Sequence, residues 1–517
     1  MNVFDASTFD GDRTFDADVA IVGTGAGGGT SAEILSLHGL RVLLIEEGPY
    51  WTAEQFKMLE SESYPNLYQE SAGRKTKDKG INILQGRAVG GSTTVNWTSS
   101  FRTPPTTLAY WRDRFGLRDY TEEALSPWFE QMERRLNVKP WALPPNANNE
   151  VLRRGAAALD IPTAVIPRNV KNCWNLGYCG MGCPKNAKQS MLVTTIPTAL
   201  SHGATLLSRT RALRLVASKS GAVDRLECVA MDPRGIEPTT RRVTVRARHF
   251  ILAGGAIGSP ALLLRSALPD PHARVGKRTF LHPTVISSAM MPDAVNPFSG
   301  APQSIYSDHF LRVAPIDGPI GFKLEVPPLH PVLTSTTMTG FGLAHAEIMK
   351  NFTHASAIIA LLRDGFHEES QGGTVELKSD STPLLDYPIT PYVWDGMRRA
   401  LDTMARIQFA AGASTVMPLH ENAQPYRSLA DARAAIAGFP MEILRTRIAS
   451  AHVMGGCGMG SDAKQSVVDG TGQHHQVANV SVFDGSAFPT SIGANPQLSI
   501  YGIVARNATR LAERLKS

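Results

Sequence analysis

Three glycines at a fixed spacing are the residues of this sequence that most directly indicate chemistry. Gly23, Gly25 and Gly28 form the pattern GxGxxG. The first permits a tight turn, the second lets a pyrophosphate approach the backbone, and the third allows a helix to pack closely on a strand. Further along, the carboxylate of Glu46 could accept hydrogen bonds from a ribose diol. The spacing therefore predicts a dinucleotide-binding site, and it leaves the kind of dinucleotide undetermined.

The elements around these glycines have the order that such a site needs. Residues 17–22 are a mostly apolar run that ends at the first glycine, which is typical of a buried parallel strand. Residues 30–38 favour a helix, whose free N–H groups and partial positive charge would face the phosphates. Residues 41–45 favour a second strand. Strand, turn, helix and strand in this order predict an α/β fold with a doubly wound, Rossmann-like sheet.

Later glycine-rich segments indicate further turns near the same site. Residues 250–260 are expected to form a strand that breaks into glycines and starts a new helix. Asn495 is a good N-cap, and Pro496 suits the first position of a helix that runs towards Leu515. The segments concerned are 85–96, 250–260, 451–460, 484–486 and 493–496.

The middle of the chain has a different pattern, with prolines that separate short extended runs. It contains at least one helix, over residues 394–411. We expect an antiparallel sheet with helices beside it, forming a substrate-binding domain over 276–448. Residues 1–275 and 449–517 would form the discontinuous nucleotide-binding domain into which it is inserted.

Composition narrows the class of protein. The chain has 517 residues, of which 43% are hydrophobic and 19% charged, an ordinary globular composition. A net charge of +6 spread over this length gives no reason to expect nucleic-acid binding. No secretory signal and no integral membrane segment is visible, because the longest apolar candidate, 250–264, is short and interrupted by glycines and proline. We expect a cytoplasmic protein, with peripheral membrane attachment left open.

Five cysteines are too few for a disulfide framework, and their odd number leaves at least one thiol unpaired within the chain. A reducing compartment fits this usage. Cys173, Cys179 and Cys183 lie in one segment, but their spacing is not the paired CxxC of a structural zinc site. The spacing by itself leaves four interpretations of the segment open: free thiols, an iron–sulfur cluster, a disulfide, or a site for another metal.

Taken together and in order, the glycine-rich blocks resemble the glucose-methanol-choline (GMC) family of FAD-dependent oxidoreductases. Within that family, the pattern is most similar to that of long-chain-alcohol-oxidase-like and cholesterol-oxidase-like members. The resemblance implies bound FAD, with the second glycine turn along the flavin and its phosphates. The 484–485 turn would lie near the pyrophosphate and ribityl chain, and the 210–213 backbone would pack against the adenine. The implied cofactor-binding set is Gly23, Gly25, Gly28, Glu46, Gly90, Gly91, Asn96, Ala212, Asp484, Gly485 and Pro496.

The same resemblance assigns a catalytic pair, His452 and Asn495. His452 would be the general base, because an imidazole accepts a hydroxyl proton near neutral pH. Asn495 would hydrogen-bond the alcohol oxygen without titrating, and the helix that follows would stabilise negative charge on the reduced flavin. His282 also matches a family position, where a structural role is the preferred interpretation.

The implied reaction is oxidation of a primary alcohol, aromatic or long-chain, to an aldehyde, with oxygen, a quinone or a cytochrome as electron acceptor. The apolar stretch 355–362 supports an apolar substrate. One alternative is a hydroxynitrile lyase of the same fold. Another is a sugar or polyol dehydrogenase whose cysteine segment holds an iron–sulfur cluster. For that segment we favour free thiols and no metal, in a flavin-covering region around 60–190.

Overall fold

The computed structural model describes residues 2–219 and 221–516. The strands are β1 (Asn2–Asp5), β2 (Arg13–Val22), β3 (Val42–Ile45), β4 (Ile81–Ile83), β5 (Val138–Pro140), β6 (Ala164–Val165), β7 (Pro167–Asn169), β8 (Thr205–Ser208), β9 (Thr210–Ala217), β10 (Val223–Met231), β11 (Pro238–Leu252), β12 (Thr279–Leu281), β13 (Thr284–Met290), β14 (Ile305–Ser307), β15 (Phe322–Glu325), β16 (Ala355–Leu362), β17 (Thr374–Leu377), β18 (Pro383–Asp386), β19 (Thr415–Pro418), β20 (Ile448–Ser450), β21 (Val453–Gly455) and β22 (Val480–Val482). The helices are α1 (Ala26–Leu37), α2 (Glu60–Leu67), α3 (Pro105–Phe115), α4 (Glu122–Arg135), α5 (Ala147–Ala157), α6 (Thr195–Ser201), α7 (Gly255–Ser266), α8 (Pro331–Thr337), α9 (Gly342–Lys350), α10 (Pro391–Ala410), α11 (Leu429–Gly438) and α12 (Gln497–Lys516).

The first large sheet has the strand order β1-β8-β3-β2-β11-β10-β9, and β22 pairs with β11. The pairs made by β1, β8, β3, β2, β11 and β22 are parallel, whereas β10 pairs antiparallel with β9 and β11. Helix α1 connects the parallel strands β2 and β3. This confirms the predicted α/β class with a Rossmann-like parallel sheet.

The register of this sheet brings four strand ends to one level. Val22 lies opposite Ile45 and Leu252, and Leu252 lies opposite Val482. The residues that follow these strand ends therefore meet at one edge of the sheet. Ligands of open α/β sheets bind at this carboxyl edge.

Helix α1 begins at Ala26, earlier than the predicted start at residue 30. Glycine disfavours helices, yet Gly27, Gly28 and Gly29 are buried helical residues. Close packing overrides the propensity, since a Cβ on Gly28 would lie 2.0 Å from the carbonyl oxygen of Gly23. Strand β2 also begins earlier than predicted, because residues 13–16, polar except for Phe15, pair with β11.

The second large sheet has the order β4-β20-β13-β16-β15-β14-β6, and β19 pairs with β13. Its pairs are antiparallel except for the parallel pair of β4 and β20. Strands β4 and β6 come from outside residues 276–448, so the sheet draws on more of the chain than the sequence predicted. Helix α10 is capped by Thr390, whose side chain accepts a hydrogen bond from the N–H of Val393, and it begins earlier than the predicted residue 394.

No helix within residues 2–219 and 221–516 is both long and apolar enough to cross a bilayer. The expected cytoplasmic location stays a prediction.

Candidate active site

The first glycine turn is held by contacts with three other segments. Gly23 has φ of 97°, and a Cβ there would lie 2.3 Å from the carbonyl oxygen of Ala253. Beside it, the Thr24 hydroxyl donates to Glu46 Oε2 at 2.6 Å and accepts from the N–H of Gly90 at 3.0 Å. Thr24 therefore joins the first glycine turn, the predicted ribose carboxylate and the second glycine turn.

The Glu46 carboxylate is buried and partly engaged. It accepts hydrogen bonds from the N–H and hydroxyl of Thr24 at Oε2 and from the N–H of Gly48 at Oε1. Burial raises its pKa, and these hydrogen bonds oppose the shift. A carboxylate offers about four acceptor sites. Oε1 therefore keeps one for a ligand hydroxyl.

Asp484 ties the 254–259 turn to the C-terminal loop. Its Oδ2 accepts from the N–H of Gly255 at 2.8 Å and from the Ser259 hydroxyl at 2.6 Å, while Oδ1 accepts from the N–H and hydroxyl of Ser486. Since these four bonds use the capacity of a carboxylate, Asp484 acts here by placing its neighbour Gly485 and the 254–259 turn.

The second glycine turn lies against the first, because a Cβ on Gly91 would come within 2.6 Å of the Gly25 Cα. After this turn, the amide of Asn96 donates to Gln497 Oε1 at 2.7 Å, at the start of α12. This side-chain contact links the N-terminal segment to the C-terminal helix. The contact could not be read from sequence, since the two residues are 401 positions apart.

The cysteine segment is fixed to this turn by the buried ammonium of Lys188. It donates to the carbonyl oxygens of Thr94 at 2.8 Å, Asn96 at 2.7 Å and Cys179 at 2.6 Å. Burial lowers the pKa of Lys188 to about 8. The cysteine segment therefore packs against the residues of the second glycine turn, which are expected to lie along the flavin.

All five cysteine thiols are free. Within the part of the chain that the structure describes, no group of three or more His, Cys, Asp or Glu side chains is arranged to hold a metal ion. The Cys179 sulfur instead accepts a 3.5 Å hydrogen bond from Arg168. The disulfide interpretation of the segment is therefore wrong in this structure.

The backbone carbonyls of Ala212 and Pro496 both accept hydrogen bonds within the protein. The carbonyl of Ala212, in β9, accepts from Arg265 at 3.3 Å. The carbonyl of Pro496 accepts from the N–H of Ile500 at 3.0 Å, which makes Pro496 the residue that precedes α12. The expectations that Asn495 caps this helix and that Pro496 is its first residue are both wrong, because α12 begins at Gln497. The Asn495 side-chain oxygen accepts a hydrogen bond from Lys323.

His452 and His282 meet because β12 and β21 pair antiparallel. Leu281 lies opposite Val453, so the next residue of one strand faces the preceding residue of the other. The Nδ1 atoms of the two rings are 3.0 Å apart, and the rings are nearly perpendicular, at 87°. His282 also accepts at Nε2 from the N–H of Gly493, at 3.2 Å. The histidine for which the sequence favoured a structural role is thus in contact with the predicted base.

Asn495 lies on the other side of His452. Its Nδ2 is 3.5 Å from His452 Nε2 and donates to Glu325 Oε2 at 3.2 Å, while its Oδ1 accepts from Lys323 at 2.8 Å. The Lys323 ammonium is also 2.8 Å from Glu325 Oε1. The structure therefore brings the predicted pair together and adds a buried ion pair to it.

Burial sets the charge of these groups. It lowers the pKa of His452 to about 4, with Glu325 opposing the shift and Lys323 adding to it. The pKa of His282 lies well below its usual value, from burial and the neighbouring cations. Both imidazoles are neutral near pH 7, so His452 can accept a proton there.

Lys323 and Glu325 were missed at the level of sequence. The available signal was two charged residues at alternate positions in the otherwise apolar run 320–326. Alternate residues of a strand share a face, so both side chains had to be buried together or exposed together. Thr24, between two motif glycines, gave no signal of its own.

Comparison with known proteins identifies the family. Two models described as GMC oxidoreductase match residues 64–284 and 369–503. A GMC-type oxidoreductase of Mycobacterium tuberculosis (strain ATCC 25618 / H37Rv) is 32% identical over 488 residues, which is 94% of this chain and 74% of that protein. The chain belongs to the GMC oxidoreductase family.

This GMC oxidoreductase also resembles the long-chain-alcohol oxidase FAO1 of Arabidopsis thaliana. The two are 26% identical over 523 residues, 97% of this chain and 67% of the relative. Formate oxidase of Aspergillus oryzae RIB40 shares the fold with a TM-score of 0.72 at 15% identity, over 98% of this chain and 100% of that one. Pyridoxine 4-oxidase from Mesorbium loti has a TM-score of 0.69 at 19% identity, over 95% and 98%.

FAD is the cofactor of this GMC oxidoreductase, which is an oxidoreductase acting on CH–OH groups. The chain's own geometry fits the group. Glycine turns from three segments meet at the carboxyl edge of the parallel sheet. An added Cβ on Gly23, Gly90 or Gly91 would lie within 2.6 Å of another atom, so side chains are excluded at these three positions. Gly23, Gly25, Gly90, Gly91 and Gly255 provide the backbone there, and Glu46 keeps an acceptor site for a hydroxyl.

Proposed function

We propose that this GMC oxidoreductase oxidises a primary alcohol on an apolar body, long-chain aliphatic or aromatic, to the aldehyde. The observation that carries the proposal is the contact between His452 and Asn495, 3.5 Å apart across 43 residues of sequence. A proton acceptor and an amide donor are thereby placed beside one another, as oxidation of a carbinol requires.

The preference for an apolar alcohol has two supports. The relatives named long-chain-alcohol oxidases match this chain over 94–98% of its length. The buried polar cluster is also walled by aromatic rings, since Phe101 and Tyr306 pack edge to face with centroids 4.9 Å apart. The stretch 355–362 gives no such support, because it is strand β16, buried along its length in the second sheet, and burial alone explains its apolar character.

In the proposed reaction, FAD held by the backbone of Gly23, Gly25, Gly90 and Gly91 would supply the acceptor for the carbinol hydride. His452, unprotonated at neutral pH, takes the hydroxyl proton at Nε2. Asn495 donates an Nδ2 hydrogen to the alcohol oxygen and orients it. His282 holds the other nitrogen of the His452 ring, so the base is fixed in direction. Positioned general bases of this kind contribute about 100-fold to 10,000-fold.

The site draws on both parts of the chain that the sequence divides. Lys323 and Glu325 come from the proposed substrate-binding domain, 276–448. His452 and Asn495 come from the C-terminal part of the proposed FAD-binding domain, which comprises 1–275 and 449–517. We propose that the alcohol binds between them, with the 60–190 region covering the flavin.

Anaerobic flavin reduction tests the function. The holoenzyme would be mixed with 1-dodecanol, benzyl alcohol, cholesterol or D-glucose, and flavin absorbance followed. We expect rapid bleaching by 1-dodecanol or benzyl alcohol, with slower or no bleaching by glucose. Bleaching by glucose alone would show that the substrate is a sugar or polyol and not an apolar alcohol. Bleaching by none of the four would count against alcohol oxidation. Admitting air or a quinone afterwards identifies the acceptor.

A hydroxynitrile lyase is the competing activity, and it is separated by the same sample. Mandelonitrile would be cleaved to benzaldehyde while the flavin stays oxidised. We expect no cleavage above the rate of the His452→Gln variant. Cleavage without flavin reduction by any alcohol would favour the lyase.

A further inference from the structure

We propose that Lys323 is a positioning residue for the base: with Glu325 it fixes the Asn495 amide so that Nδ2 faces Nε2 of His452 and leaves that nitrogen free to take a proton. This inference rests on the proposed function for its kinetic test and on the chain's own geometry for its spectroscopic one.

The amide of Asn495 is held at both ends by opposite charges. Its oxygen accepts from the Lys323 ammonium at 2.8 Å, and its nitrogen donates to the Glu325 carboxylate at 3.2 Å. Turning the amide over would place NH₂ against the ammonium and C=O against the carboxylate. Two charge-assisted hydrogen bonds would become two repulsive contacts. One orientation of the amide is therefore strongly preferred.

The ion pair that imposes this orientation is itself rigid. The side chains of Lys323 and Glu325 are 4% and 0% exposed, and their charged atoms are 2.8 Å apart. The ammonium also lies over the rings of Phe101 and Tyr306, 3.3 and 4.5 Å from their centroids. Salt and water cannot weaken such a pair as they weaken one on the surface.

The orientation of the amide bears on where His452 carries its proton. With an N–H of Asn495 directed at Nε2, the favoured neutral form has its hydrogen on Nδ1, donated to Nδ1 of His282. A reversed amide would direct an oxygen at Nε2 and favour a hydrogen there. In that form His452 could not take the hydroxyl proton at Nε2.

A second contact, made by His282, favours the opposite position of the hydrogen on His452. The N–H of Gly493 donates to His282 Nε2 at 3.2 Å, which favours a hydrogen on Nδ1 of His282 and so on Nε2 of His452. The two tautomers are thus in competition, and the orientation of Asn495 biases the balance towards the active one. The charged groups that act on the two rings are Glu325, Lys323 and Arg363.

The test uses a charge-neutral pair of substitutions, Lys323→Met with Glu325→Gln. Lys323→Met alone would leave a buried carboxylate unpaired and endanger folding. A glutamine at 325 can serve either amide orientation, since it offers both a donor and an acceptor. The control is Lys77→Met, which removes a surface ammonium paired with Glu376 at 2.9 Å.

The first readout is flavin reduction by whichever of the four alcohols above reduces the wild type fastest. We expect the double variant to bind FAD and to be reduced about tenfold more slowly. The rise of rate with pH should move to lower pH, because Glu325 raises the pKa of His452 more than Lys323 lowers it. In an Asn495→Leu background the same pair of substitutions should change the rate little, because Lys323 acts through the amide. Lys77→Met should match the wild type.

The second readout needs no alcohol. ¹⁵N spectra of histidine-labelled holoenzyme, with His452 assigned from a His452→Gln variant, report which ring nitrogen carries the proton. We expect Nε2 of His452 to be largely unprotonated in the wild type and more protonated in the double variant.

An unchanged tautomer together with an unchanged pH profile would overturn the proposal while leaving the function intact. An equal loss of rate in the Asn495→Leu background would also overturn it, since the pair would then act on the fold generally. Failure of every alcohol to reduce the wild type would reject the function, and the spectra would still decide the role of Lys323.

Discussion

Nδ1 of His452 lies 3.0 Å from Nδ1 of His282, one position beyond the last paired residues of a two-stranded sheet. Because the two neutral imidazoles share one hydrogen between their Nδ1 atoms, each ring keeps its Nε2 for another hydrogen bond. Nε2 of His282 is used by the Gly493 N–H, and Nε2 of His452 faces Asn495. The proposed base therefore contacts a partner ring whose far nitrogen accepts the Gly493 N–H, and this contact opposes the active tautomer of His452.

His282→Leu should therefore slow flavin reduction about tenfold or more, because His452 loses the hydrogen bond that directs its ring. Stopped-flow reduction at saturating alcohol measures the change. His202→Leu, at an exposed histidine, is the control and should leave the rate unchanged. An undiminished rate in His282→Leu would return His282 to the structural role that the sequence favoured.

His452→Gln should lower the rate of flavin reduction by about 100-fold to 10,000-fold, since a general base is removed. FAD binding, read from the visible spectrum, should persist, because no bond from His452 reaches the glycine turns of the proposed FAD site. A variant that is colourless would show instead that His452 holds the cofactor site together.

Buried neutral histidines predict a loss of stability in acid. Burial lowers the pKa of His249 to about 3, below its ordinary value of 6.5. Between those values the unfolded chain binds the extra proton, so this histidine's contribution to stability falls as pH falls. Relative to a His249→Gln variant, the wild type should lose about 1.4 kcal/mol per pH unit below pH 6. Urea unfolding at pH 7, 6 and 5 measures this, and a constant difference would contradict it.

Gly23→Ala should abolish FAD binding or folding. The position combines φ of 97° with a Cβ that would lie 2.3 Å from the Ala253 oxygen. Gly39→Ala is the matched control, since its φ is 81° but nothing lies within 4 Å of the added atom. The control should cost only the strain of the left-handed backbone, about 1 kcal/mol. Flavin content and melting temperature separate the two, and equal effects would mean that the clash is relieved.

Analysis of iron and acid-labile sulfide in the purified protein tests the cysteine segment. We expect neither in stoichiometric amount, because the free thiols of Cys173, Cys179 and Cys183 are not arranged as a metal site. Cys179→Ser should retain FAD and alcohol-dependent flavin reduction. Stoichiometric iron and sulfide would instead favour the alternative of a sugar or polyol dehydrogenase whose cysteine segment holds an iron–sulfur cluster.

Local patterns determined the first motif almost completely. Gly23, Gly25 and Gly28 between an apolar run and a helix allow one kind of turn, and the strand that follows places Glu46 at the same sheet edge. The relevant constraints act within a few residues: left-handed backbone, strand alternation and helix starts. For that reason the parallel sheet could be predicted from sequence.

The surroundings of the base were decided only by the tertiary structure. Asn495 looked like a helix cap because its neighbours in sequence are a proline and a helix, but a buried ammonium 172 positions away takes its oxygen. His282 faces His452 through strand register, and Lys323 pairs with Glu325 inside an apolar sheet. Each contact depends on which distant segments share a low-dielectric interior. Burial there strengthens the hydrogen bonds and the interactions between charges, so these contacts determine how the side chains are oriented. The motif order in the sequence therefore indicated the family and a candidate catalytic pair, while only the packed chain showed which groups contact that pair.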